Sequence, residues 1–143
     1  VGRMKYLLDT NACVQILRTK GSALVKQRFG SHPPADVAVC SIVVAELRYG
    51  AEGGANRANE NAKIDAFLAP LPSLPFDEGA ATVYGRIRHD LESRGLVIGG
   101  NDLFIAAIAL VHDLTLVTHN TNEFGRVPGL KLEDPRLDRF MAS

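Results

Sequence analysis

Three short runs constrain this chain most: KYLL at 5–8, VAVC at 37–40 and LTLVTH at 114–119. Each is largely apolar and shows no alternation between two faces. A strand with one wet face alternates with a period of two, so runs like these belong to strands covered on both sides, as in a parallel sheet. Segments with helical spacing separate them. ACVQILR leads towards Gly21, which is expected to end its helix, and a second short helix covers Ala23 to Phe29. Ser41 is expected to cap a helix over IVVAELRYG that ends at Gly50. Residues 56–68 place Ala58, Ala62, Phe67 and Leu68 at helical intervals. Asp77 can cap a helix from Glu78 to about Ser93, which Gly95 stops. NDLFIAAIALVHD is apolar nearly all round and reads as a buried helix. SHPPAD is turn chemistry, LPSLPF a short extended segment, and LKLED at 130–134 a last strand. Strands alternating with helices predict an α/β fold, a three-layer α/β/α sandwich with a short central parallel sheet and right-handed crossovers.

The chain has 143 residues, 46% of them apolar, which suits one domain with its own core. Residues 4–143 are expected to form it, with 1–3 read as non-native or alternative-start residues ahead of Met4. No repeat, linker or low-complexity stretch interrupts it. No apolar run approaches the roughly 18 residues of a membrane span, and the expectation is a cytoplasmic protein in a reducing compartment. Cys13 and Cys40 lie in apolar surroundings and read as core residues. The 16 basic and 16 acidic side chains balance, so bulk charge does not argue for a nucleic-acid partner. Such a partner needs local basic residues, or a metal between acids and phosphate.

Acids near strand ends supply the chemistry. Asp9 closes the first strand, and ligands of open parallel sheets gather beyond the carboxyl ends of the strands. Helix capping is its simpler account, since Ala12 to Leu17 can be the helix that follows. Glu46 lies within a helix, with Ile42, Val43, Tyr49 and Gly50 at i±3 and i±4, a mostly apolar face. Asp102 opens the most hydrophobic helix, where it or Asn101 can act as a cap. Glu123 follows the third strand and the polar loop NTN. Uncompensated carboxylates in one cavity raise one another's pKa, and a divalent cation removes that cost. Hard oxygen ligands favour Mg²⁺ or Mn²⁺ over zinc. Such an ion can polarise a phosphodiester and activate water for in-line attack. No Walker glycine loop, His-metal signature or nucleophile elbow offers another chemistry.

In LLDTN, SIVVAELRYG, IGGNDLFIAAIAL and LVTHNTNEFGRVPGL the chain resembles the PIN-domain ribonucleases, and more closely the VapC-type toxins of bacterial toxin–antitoxin pairs. The likeness runs from KYLLDTN to VPGLKLED, almost the whole length. The family's four acids fall on Asp9, Glu46, Asp102 and Glu123, as catalytic and metal-binding positions. Its supporting positions fall on Thr118, with Thr10 and Asn11 near the first acid and Asn120 near the fourth. Where the family commonly has asparagine, this chain has His119. The resemblance implies a PIN-like fold and Mg²⁺-dependent (or Mn²⁺-dependent) cleavage of RNA, tRNA or another structured RNA. It also implies a cognate VapB-type antitoxin, a homodimer and a toxin–antitoxin hetero-oligomer.

Arg48, Arg86, Arg88, Arg94 and Arg126, with His89, are candidates for RNA backbone contacts, since arginine matches phosphate with two donors. Solvated or acid-paired arginines are the plain alternative. Apolar excess on ACVQILR, on residues 22–30 and on 56–68 suits an antitoxin helix in a groove, or simple core packing. Two other function classes share these residues: a metal-dependent DNA or flap-type nuclease, and a non-catalytic RNA-binding domain.

Overall fold

The computed structural model describes residues 4–137, so the expectations for residues 1–3 and for the tail from 138 lie outside the described residues. Strands β1 (Tyr6–Leu8), β2 (Val37–Cys40), β3 (Ser73–Leu74), β4 (Thr115–Val117) and β5 (Lys131–Glu133) form one sheet in the order β3-β2-β1-β4-β5. Every pairing is parallel. Leu7, Val39 and Leu116 are fully buried, which is why these strands carry no polar face. The segment LPSLPF contributes only the two-residue edge strand β3; its flanking prolines cannot donate to a longer ladder.

Helices α1 (Thr10–Leu17), α2 (Ala23–Gly30), α3 (Ser41–Glu52), α4 (Arg57–Leu68), α5 (Glu78–Ser93), α6 (Gly100–Val111) and α7 (Thr121–Phe124) flank the sheet. This is the expected α/β/α sandwich. α6 is the most deeply buried helix, with Ile105 to Ala109 all in the core. α5 packs on it through stacked rings of Tyr84 and Phe104, 4.7 Å apart, with Phe76 edge-on to Phe104. Both cysteines are buried and unbonded to each other, as expected of core residues.

Three helix boundaries differ from the sequence expectation. α3 begins at Ser41 itself, because β2 runs into it without a loop and Cys40 is both last strand residue and N-cap. It also continues through Gly50 to Glu52, held by the buried Ala51. α1 ends at Leu17, ahead of Gly21. Gly21 serves instead where the chain folds back on itself, so closely that a methyl group there would lie 1.9 Å from the Gln15 carbonyl oxygen. Only a residue without Cβ fits.

The order of the strands places the functional end of the sheet. From β1 the chain steps outwards to β2 and β3, then crosses to the other side for β4 and β5. The reversal lies between β1 and β4, where doubly wound sheets open a crevice at their carboxyl ends. α7 borders it and is anchored by Phe124, a core side chain. Truncating Phe124→Ala is expected to cost about 3–5 kcal/mol of unfolding free energy, measured by chemical denaturation.

Candidate active site at the strand ends

Asp9 leaves β1 at this crevice and is 7% exposed. It does cap α1: the Ala12 N–H donates to its Oδ1 at 2.8 Å. The Thr118 side chain, fully buried at the end of β4, hydrogen-bonds to the same carboxylate. The capping carboxylate therefore lies at the crevice itself. Burial pushes the Asp9 pKa up, against those two hydrogen bonds; the charge of Glu46 adds to the rise and that of His119 opposes it.

Glu46 projects from α3 towards α1, where the Thr10 hydroxyl donates to its Oε1 at 2.5 Å. It is half-buried, and its face is less apolar than its neighbours imply. Val43 is in the core, but Tyr49, one turn on, is 83% exposed. Glu46 thus stands at a rim, beside a groove of about 460 Å³ between α1, α3 and α4 whose wall includes Thr10, Val14, Leu47 and Ile64.

Asp102 and Glu123 form a pair around the start of α6. Neither Asn101 nor Asp102 caps this helix; the N-cap is Gly99, which has no side chain to offer. Glu123 reaches Gly99 from across the crevice, accepting the Gly99 N–H with Oε1 while Oε2 accepts from Asn120 Nδ2 at 3.0 Å. A Cβ built on Gly99 would sit 3.4 Å from Glu123 Oε1 and 3.5 Å from Asp102 Oδ2, so both carboxylates border this glycine. The two titrate apart. Asp102 is pushed up to about 7 by desolvation first, then by the charge of Glu123 and a hydrogen bond to it, with Asp9 and Glu46 adding to the rise. Glu123 is held below its ordinary value, chiefly by the Gly99 N–H and Asn120, with Arg126 helping. The two carboxyls titrate as a pair, with Asp102 on the raised side and Glu123 on the lowered side.

All four expected acids, and the supporting Thr10, Thr118 and Asn120, come to this end of the sheet. Asn11, in the first turn of α1, is exposed and makes no side-chain hydrogen bond among the described residues. Each acid is already engaged by a nearby donor or acidic neighbour. Among the described residues no group of three His, Cys, Asp or Glu side chains is arranged ready to hold an ion. The donor chemistry still fits a hard cation, being carboxylate and hydroxyl oxygen without thiolate.

Of the candidate arginines, four are occupied within the fold. Arg48 donates to Asn61 and Asp65, Arg88 to Glu92 and Tyr84, Arg94 to Asp90, and Arg126 to the Val97 carbonyl. Arg86 and His89 are exposed and make no hydrogen bond through their side chains among the described residues. One polar residue escaped the sequence reading altogether. Asp134 is 8% exposed at the end of β5, with both carboxylate oxygens against His119. Its position directly after a strand, the same as that of Asp9, was the available signal.

The elevated Asp102 has a consequence for stability without divalent ions. An acid whose folded pKa lies above its ordinary 3.8 binds more protons folded than unfolded, so its contribution falls as pH rises from about 4 to about 7. The protein in EDTA is expected to melt at a lower temperature at the upper end of this window than at the lower end. Asp102→Asn is expected to flatten that slope, followed by circular dichroism.

Comparison with known proteins shows the family. The PIN domain family matches residues 6–130. Ribonuclease VapC2 of Rickettsia felis is 38% identical over 92% of this chain and 98% of its own length. The tRNA(fMet)-specific endonuclease VapC of Shigella flexneri is 37% identical over the same shares. Among solved structures, VapBC2 from Rickettsia felis bound to a DNA fragment from their promoter superposes with a TM-score of 0.83, at 38% identity, over 91% of this chain and 98% of that one. DNA-bound VapBC from Salmonella typhimurium gives 0.87, at 34% identity, over 93% and 99%. The resemblance carried by LLDTN and its companion motifs is borne out: this chain belongs to the PIN-domain family and, within it, to the VapC-type toxins.

Proposed function

We propose that this chain is a divalent-metal-dependent endoribonuclease toxin that hydrolyses phosphodiester bonds in tRNA or another structured RNA. The observation that carries the reading is that Asp9, Glu46, Asp102 and Glu123 all lie around the switch point, where burial first, and then the charge of the neighbouring acids, pushes the Asp102 pKa up to about 7. Asp9, Asp102, Glu46 and Glu123 are the residues that would hold Mg²⁺ or Mn²⁺, after Glu46 and Glu123 exchange their present partners. When bound, the cation offsets the carboxylate charge against phosphate and activates water for hydrolysis. The chain's own residues keep the frame. Thr118 and the Ala12 N–H fix Asp9, Thr10 holds Glu46 at the rim, and Asn120 orients Glu123.

Partners follow from the same reading. The named relatives include a tRNA(fMet)-specific endonuclease, and the solved VapBC structures are bound to DNA. A VapB-type antitoxin is the proposed partner, laid along the groove between α1, α3 and α4 that ends at Thr10 and Glu46. A homodimer, and a hetero-oligomer with that antitoxin, complete the assembly. No described helix is long and apolar enough to cross a membrane, and the proposed place of action is the cytoplasm, with its RNA.

Purified, antitoxin-free protein is to be incubated with total cellular RNA and with DNA, in Mg²⁺ or Mn²⁺ and in EDTA. Discrete RNA fragments are expected, absent in EDTA, with Asp9→Asn slowed by about 10²–10³-fold. Cleavage of DNA alone would replace this reading with a DNA nuclease, and metal-independent RNA binding without cleavage would replace it with a binding domain.

A further inference from the structure

His119 stands between two committed residues. Thr118 bonds to Asp9, and Asn120 bonds to Glu123. Its own side chain is 53% exposed beyond the end of β4, with Nδ1 at 3.0 and 3.2 Å from the two carboxylate oxygens of Asp134. Asp134 is fixed in turn, one of its oxygens accepting the Arg136 N–H at 2.9 Å. A carboxylate only accepts, so Nδ1 carries the hydrogen, and in the neutral ring Nε2 presents a lone pair. Nε2 makes no hydrogen bond among the described residues. A ring locked in one orientation and one tautomer by a buried acid, with its second nitrogen open beside the crevice, is built to accept a hydrogen bond from a bound molecule. The position of His119 just past β4, between Thr118 and Asn120, sets it at the same end of the sheet as the acids.

A nucleic-acid strand offers few donors to such an acceptor. Phosphodiester oxygens only accept. The ribose 2′-hydroxyl is the one hydrogen-bond donor on an RNA backbone, and DNA lacks it. We propose that His119 Nε2 accepts from the 2′-hydroxyl of a nucleotide beside the scissile phosphate, with Asp134 as its positioning residue, so that the pair selects RNA over DNA. The inference rests on the ribonuclease reading above. The four acids there account for attack on a phosphodiester and are indifferent to the sugar; His119 supplies the choice.

The test starts from the cut that wild-type protein makes in total RNA. The stem or loop around that cut is synthesised with ribose throughout, or with a single 2′-deoxynucleotide on either side of it. Wild type is expected to cleave the ribose form faster. In His119→Ala the ribose-to-deoxyribose rate ratio is expected to fall by about 3- to 10-fold, the worth of one hydrogen bond, with the loss confined to the ribose substrate. His119→Asn keeps a side-chain acceptor and is expected to retain part of the ratio, and Asp134→Ala, which frees the ring, to lose part of it. A ratio unchanged in His119→Ala overturns the proposal, as does equal slowing of both substrates, which would assign the ring to phosphate or base. Failure of wild type to cut any RNA is a separate result: it would overturn the ribonuclease reading, and this inference with it.

Discussion

Asp9 is a carboxylate in the core, and burying a charged group without partners costs several kcal/mol. Two donors make the position tolerable, the Ala12 N–H from the helix that Asp9 itself caps and Thr118 from the neighbouring strand. The second depends on the β1–β4 pairing, in which the Asp9 N–H also reaches the Val117 carbonyl at 3.1 Å. That pairing is the point at which the sheet reverses direction. The constraint that lets a carboxylate stay buried is therefore the one that opens the crevice around it.

The other acids complete the crevice without relieving its charge. Glu46 comes from a helix wall and Asp102 from the start of the most buried helix, and Glu123 reaches across from α7. His119 and Arg126 oppose this charge, acting on Asp9 and Glu123 respectively, but neither stops Asp102 from rising to about 7. A fold gains no stability from holding acids this way. Sites of strain and raised pKa are where function is concentrated, and here the arrangement calls for a cation or a cationic side chain from outside. An antitoxin segment ending at Thr10 and Glu46 would meet the same demand, which gives inhibitor and metal a physical reason to compete.

The layered fold was legible because strand and helix write different periods into the chain, and KYLL, VAVC and LTLV sit where the strands are. Asp9 was legible for a related reason: at a strand-to-helix junction, cap and strand end are one residue. Ser41 was misread because β2 and α3 share Cys40 without a loop, a junction that composition does not mark. The capping expected of Asn101 or Asp102 was wrong: the N-cap is Gly99, whose own N–H donates to Glu123, 24 residues away. Contacts of that kind depend on how two loops meet. The pairing of His119 with Asp134 depends on register, Val117 beside Glu133, which brings the residues just past β4 and β5 together. Register between parallel strands joined by a long crossover leaves no local signature.

In the function proposed above, these four carboxylates form one site whose charge an outside cation balances. Titration of antitoxin-free protein with Mg²⁺ and Mn²⁺, followed by calorimetry and by melting temperature, tests it most directly. The account predicts saturable binding that raises the melting temperature of wild type and is lost or strongly weakened in Asp102→Asn. Absence of binding to wild type, or equal stabilisation of the Asn variant, would contradict it.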